Sequence, residues 1–283
     1  MVLESLLNPF SAEKRPWQTL FLGFLYCSVG IMLSLWIFRD QTSLIMVFLT
    51  VMASLPLVYN TLKLEESKDL VIHDEGKLLL QHQKAIMFFM FLFVGITLSF
   101  VAWYIFLPAD LLSIVFEKQT ATIQAINNRV SGNFIQQLPL FSLILLNNMK
   151  VLAFSIFFAL IYGTGAIFIL TWNASVIGAA MGNFIRLNFT ELIAVTGFAK
   201  VSGYFGIVSL GLLRYFIHGI PEILAYFYGG LAGGILSVAI IRGHHKNKYF
   251  SRILVDVSDL LLIAIGFLVV AALLEVYVTP LLF

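Results

Sequence analysis

Charge is what this chain has least of. Of its 283 residues only 11% are Asp, Glu, Lys or Arg, against 60% hydrophobic and 14% aromatic, and the mean hydropathy is +0.96. Too few polar side chains remain to cover a water-facing surface, which excludes a soluble globular domain. A single cysteine, Cys27, excludes an intrachain disulfide, an iron–sulfur cluster and a thiolate zinc site. The formal net charge of +2 gives no nucleic-acid surface, because the cations sit at the edges of apolar runs. A P-loop, a Gly-X-Ser-X-Gly elbow and a His-Glu-X-X-His helix are also missing. The chain is therefore expected not to be an enzyme, and to hold neither cofactor nor metal.

What is present is long apolar runs. About 20 apolar residues cross a hydrocarbon core of roughly 30 Å, and the runs here are continuous rather than alternating, which makes the spans helices and not barrel strands. The expected fold is all-α, a polytopic transmembrane bundle of about seven hydrophobic helices near 17–38, 42–60, 85–107, 149–172, 193–216, 222–241 and 253–279. The stretch 173–187 is short and polar, and is expected to be a bent or re-entrant piece held by its neighbours.

Basic residues orient the bundle. With the N terminus in the cytoplasm, Lys14, Arg15, Lys63, Lys68, Lys77, Lys84, Arg186, Arg242, Lys246, Lys248 and Arg252 fall inside, and Arg39, Lys118, Arg129, Lys150 and Arg214 outside, so the positive-inside rule predicts a plasma-membrane protein with its C terminus outside. The first run begins only at Trp17 and lacks a small-residue cleavage site, the pattern of a retained signal anchor. Two extramembrane segments stand out. The inner one, 61–84, has the composition of a surface-lying element, with Glu65-Glu66 in a charged loop; His244 and His245 beside Arg242 suit lipid phosphates. The outer one, 108–134, predicts an amphipathic helix N-capped by Asp110 that roofs the bundle. Three units follow: a three-span wing over 1–107, the outer segment 108–134, and a glycine-rich core over 135–283.

Polar groups inside that core are the candidate site. Asn147 and Asn148 open one apolar run, and Ile217-His218-Gly219-Ile220-Pro221-Glu222 interrupts another. Gly219 and Pro221 predict a helix start, with His218 at the cap and Glu222 in the first turn, where a carboxylate suits the helix dipole. Intramembrane ionisable groups are costly and usually face a cavity or a partner, so the alternative is a buried cluster of Asn147, Asn148, His218 and Glu222, with Asn173, Lys200, Glu191 and Glu275 as further candidates. Gly229, Gly230, Gly233 and Gly234 form two overlapping small-xxx-small patterns for close helix packing, within the subunit or in a homodimer.

The segments LFSLILLNNMKVLAFSIFFALIYGTGAIFILTWNASVIGA and LLRYFIHGIPEILAYFYGGLAGGILS, with a last span ending LLEVYVTP, resemble the stage II sporulation protein M family over about 135–283. The chain departs at Ile217, usually Pro in the family, and at Asn173-Ala174, usually Asn-Gly. The resemblance implies a membrane scaffold or assembly factor of the cell envelope that recruits partner proteins, alongside membrane lipid. Its namesake gathers peptidoglycan-degrading partners without being a hydrolase. The alternative class is a channel, transporter or lipid-handling protein whose interrupted segments at 173–187 and 217–222 line a polar pathway.

Overall fold

The computed structural model describes residues 15–72, 75–131, 137–192, 197–244 and 250–282, and these form an all-α bundle. Seven of its helices are long and apolar enough to cross a membrane. They are α1 (Trp17–Ile37), α2 (Thr42–Val71), α3 (Glu75–Phe106), α6 (Gln137–Tyr162), α7 (Ala166–Glu191), α8 (Gly197–Ile241) and α9 (Phe250–Leu273), the last continuing through a π-helical turn, Leu274–Val278, into α10 (Thr279–Leu282). Between α3 and α6 lie the shorter α4 (Ala109–Val115) and α5 (Glu117–Ser131). Successive spans run in alternating directions. The end where α1 begins is called the N side, and the opposite end the C side.

The count of seven agrees with the sequence, but several segments differ from expectation. The expected span 149–172 joins the end of α6 to the start of α7 across the turn at 163–165. The stretch 173–187 is neither bent nor re-entrant; it belongs to α7, a continuous helix of 26 residues. Its polarity is absorbed laterally. Ser175 Oγ donates to Trp172 O at 2.7 Å, Gly178 and Gly182 let Phe100 and Tyr104 of α3 close in, and Arg186 Nη1 donates to the carbonyls of Leu107 at 2.7 Å and Tyr104 at 3.2 Å. Arg186 thus lies on the C side beside the free carbonyls that end α3, and not with the inner basic residues where it was expected. The expected helices 193–216 and 222–241 are one helix, α8, of 45 residues with Pro221 inside it. Pro221 forfeits one hydrogen bond to the Ile217 carbonyl, whereas a break in hydrocarbon would strip several N–H and C=O groups of partners, so the helix runs on.

The segment 61–84 is also no surface-lying element. α2 and α3 carry their helical geometry through most of it, to Val71 and from Glu75. On the C side, Asp110 lies in the first turn of α4 while Pro108 takes the cap position. The α4–α5 pair wedges into the bundle rather than roofing it. Val115, Phe116 and Gln119 are fully buried, the Phe116 ring lies 4.9 Å from that of Tyr104, and Gln119 Nε2 donates to Ser43 O and Ser175 Oγ, each at 3.1 Å.

One hydrophobic core joins α1, α2 and α3 to α6, α7, α8 and α9, so the packing has no seam at residue 107. α1 and α3 cross so closely that a Cβ on Gly23 would run into the Leu92 carbonyl, and one on Gly95 into that of Leu20. The glycines of α8 serve the same purpose. Gly229 packs on Leu152 of α6, a Cβ on Gly233 would sit 2.8 Å from Ala159 Cβ, one on Gly230 2.9 Å from Ala166 Cβ, and one on Gly234 2.8 Å from Leu62. Of the two uses weighed for this face, packing within the subunit and a homodimer, the chain's own helices occupy it. Large apolar side chains such as Phe21, Met32 and Trp36 point outward, as a lipid-facing surface requires.

Candidate functional site

α7 and α8 pack antiparallel and part around a cavity of about 120 Å³. Asn173, Val176 and Ile177 line it from α7, at the three- and four-residue spacing of one helix face. From α8 come Tyr215, His218, Gly219, Glu222, Ile223 and Tyr226. Gly219 opens the space: a Cβ there would meet no atom within 4 Å. The motif is therefore no helix cap, and His218 and Glu222 lie in the middle of a long helix on one face.

The polar groups are partly tied together. Tyr226 Oη donates to Glu222 Oε1 at 2.7 Å, and Thr279 Oγ1 lies 3.3 Å from His218 Nδ1. Glu275, in the π-helical turn, is close enough to Glu222 and Tyr226 to interact electrostatically; such turns recur at functional sites. Among the described residues Asn173 Nδ2 is buried with no hydrogen-bond partner, and so is Asn148 Nδ2. Asn148 is 5% exposed. α6 and α8 run parallel here, Gly229 facing Leu152 and Gly233 facing Ala159, so one turn back from Leu152 puts Asn148 level with Glu222 and Tyr226.

The remaining candidates separate from this group. Asn147 points to the exposed side of α6, since adjacent helical residues diverge by about 100°. Lys200 is in the first turn of α8, 18 residues from His218, or about 27 Å along the helix. Glu191 ends α7, about 27 Å from Asn173 on the same measure, and its side chain lies outside the described residues. Neither belongs to the cavity.

A second polar cluster, which sequence reasoning missed, closes the N side. Glu65 and Glu66 of α2 are not in a loop; both are fully buried. Glu65 Oε2 lies 2.7 Å from His82 Nδ1 on α3, and His82 Nε2 lies 3.1 Å from Asp256 Oδ2 on α9. Lys68 Nζ donates to Glu65 Oε1 at 2.5 Å. Glu66 takes Arg242 Nη1 at 2.5 Å and His244 Nδ1 at 2.6 Å, so His244 binds a carboxylate of the chain rather than lying free for a lipid phosphate. His245 lies outside the described residues. Asp256 was the available signal, being an acid inside an expected span. Among the described residues no group of three or more His, Cys, Asp or Glu is arranged to hold a metal ion.

Seven long apolar helices and buried ionisable groups at two levels define a multi-pass helical membrane protein. A sequence model of the stage II sporulation protein M family matches residues 84–280, and the chain belongs to that family. The match begins in α3, so the third span is part of the family region, which the motifs alone placed from about 135. No curated protein and no solved structure shows significant similarity to the chain.

Proposed function

We propose that this protein handles a small polar substrate within the membrane, as a transporter, channel or lipid-handling protein, through the cavity between α7 and α8. The observation that carries this reading is an intramembrane space of about 120 Å³ bounded by Glu222, His218 and Asn173. Hydrocarbon penalises each of these groups unless it meets water, a partner or a ligand. Asn173 lines the space, and its Nδ2 is buried with no hydrogen-bond partner, a polar group that the surrounding packing leaves unsatisfied. No catalytic role is assigned to these residues. In this reading the N side faces the cytoplasm, on the bias of basic residues.

Gly219→Cys tests it. Cys27 is buried, so with Cys27→Ala the new thiol is the only one in the chain. Membrane-embedded protein is exposed to a membrane-impermeant methanethiosulfonate reagent from each side in turn. Labelling from one side is the expected result and also reports the orientation. A thiol that stays unlabelled from both sides shows a dry core and overturns the reading.

A second reading, a scaffold that recruits envelope partners, draws on the family membership and on the outward face of α5, where Glu117, Lys118, Ala121 and Gln124 are exposed. Photo-crosslinking from position 118 in cells should then trap a stoichiometric protein partner, and its absence there would count against a scaffold surface on this helix.

A further inference from the structure

The cavity is unbalanced in hydrogen-bonding character. Glu222 brings a carboxylate that receives one hydrogen bond, from Tyr226, and so keeps free lone pairs. Glu275 adds a second carboxyl group within electrostatic range of Glu222. Among the described residues lining the space there is no Lys or Arg. Two tyrosine rings, of Tyr215 and Tyr226, form part of the wall, and aromatic faces attract cations. Asn173 adds a side-chain amide to the wall. His218 also lines the space, its Nδ1 3.3 Å from Thr279 Oγ1; what is missing is a compact group with positive charge and three N–H donors.

We propose that the cavity between α7 and α8 is a binding site for a primary ammonium group, with Glu222 as its counter-charge and Gly219 providing the space. This rests on the substrate-handling reading above and gives the substrate its charge and donor count. A volume of about 120 Å³ admits an aminoethyl group. The same chemistry is offered by a small amine in solution and by the headgroup of an ethanolamine phospholipid entering from the bilayer.

The test uses the full chain in nanodiscs of phosphatidylcholine and phosphatidylglycerol, which carry no primary amine, with thermal unfolding followed by tryptophan fluorescence. Ethanolamine is titrated at constant ionic strength against sodium chloride and choline chloride. Wild type should show a saturable rise in Tm of about 3–6 °C at a tenfold excess over Kd, and neither sodium nor choline, which has no N–H, should reproduce it. A parallel set of discs containing phosphatidylethanolamine, without free amine, separates the sources: a rise there and none with ethanolamine identifies the lipid headgroup. Either rise should vanish in Glu222→Gln and in Gly219→Leu, the second of which fills the space while keeping every charge. No rise from either source, or an equal rise in both variants, overturns the inference. Labelling of Gly219→Cys together with no amine effect would reject the ammonium site and leave the hydrated cavity standing.

Discussion

His82 and Asp256, separated by 174 positions in the chain, meet at 3.1 Å on the N side of the bundle, with Glu65 on the other side of the imidazole at 2.7 Å. Each ring nitrogen faces a carboxylate oxygen of a different helix. The ring thereby joins α2, α3 and α9 at one point. Replacing it with leucine leaves two buried carboxylates without it, and losing one partner of a buried pair costs about 3–5 kcal/mol. We expect His82→Leu to lower Tm sharply in nanodiscs, and the triple replacement of Glu65, His82 and Asp256 by leucine to recover most of the loss. Unfolding of His82→Leu at the wild-type temperature would show that the contact contributes little.

The neighbouring cluster predicts an asymmetry. Glu66 is fully buried, whereas the Arg242 and His244 side chains are 29% and 19% exposed. Glu66→Leu frees Arg242 and His244, which can turn towards water or headgroups. The double change Arg242→Leu and His244→Leu breaks the same two contacts but strands a carboxylate in the interior. An unsatisfied buried group costs about 1–3 kcal/mol, and more when it is charged. The double variant should therefore be the less stable of the two by at least that amount in denaturant or thermal unfolding. Equal stabilities would mean that water reaches Glu66.

Glycines differ in what they tolerate. A Cβ on Gly95 meets the backbone of Leu20, whereas one on Gly219 meets nothing within 4 Å. Gly95→Ala must push α1 away from α3, and overpacking of this kind costs about 1–3 kcal/mol. Gly219→Ala removes a poor helix former without a clash, worth up to about 1 kcal/mol. Yield and Tm should fall in the first and hold or rise in the second. A destabilised Gly219→Ala would mean that the space beside it is closed.

The fold class was legible because composition alone excludes a water-facing surface. The number of spans came out right through two errors that cancel. Hydropathy scores each residue by itself and so marked 173–187 as too polar to cross, yet Arg186 is satisfied by carbonyls 79 and 82 positions earlier. The same habit split α8 at Pro221, where the bilayer makes a break costlier than one lost bond. His218 and Glu222 were readable as a pair because a spacing of four puts them on one helix face. Asn147 and Asn148 looked equivalent, but a helix can turn only one of two neighbours inward, and packing selects Asn148. Glu65, Glu66 and His82 resemble ordinary loop residues one at a time, and only Asp256, an acid inside an expected span, carried a signal. Their meaning lies in contacts that tertiary structure alone creates.

Arg186 carries the remaining prediction. Its guanidinium gives hydrogen bonds to the carbonyls of Tyr104 and Leu107, where α3 ends and has no N–H of its own to offer. A positive charge at a helix C terminus is favourable as well. The chain then turns into α4 and α5, whose Phe116 packs on Phe100 and Tyr104 and whose Gln119 reaches Ser175 on α7. Arg186 therefore holds the corner from which the wedge enters the bundle. Arg186→Met keeps the length and packing of the stem but removes the donors, at a cost of about 1.5–3 kcal/mol for charge-assisted hydrogen bonds. The loss should be local. Amide hydrogen exchange should speed up at the end of α3 and through α4, while the helices around Glu65 and His82 keep their wild-type protection. Uniformly faster exchange across the bundle would instead make Arg186 a global determinant of stability, and unchanged exchange at 104–119 would show that the wedge is held by its aromatic packing alone.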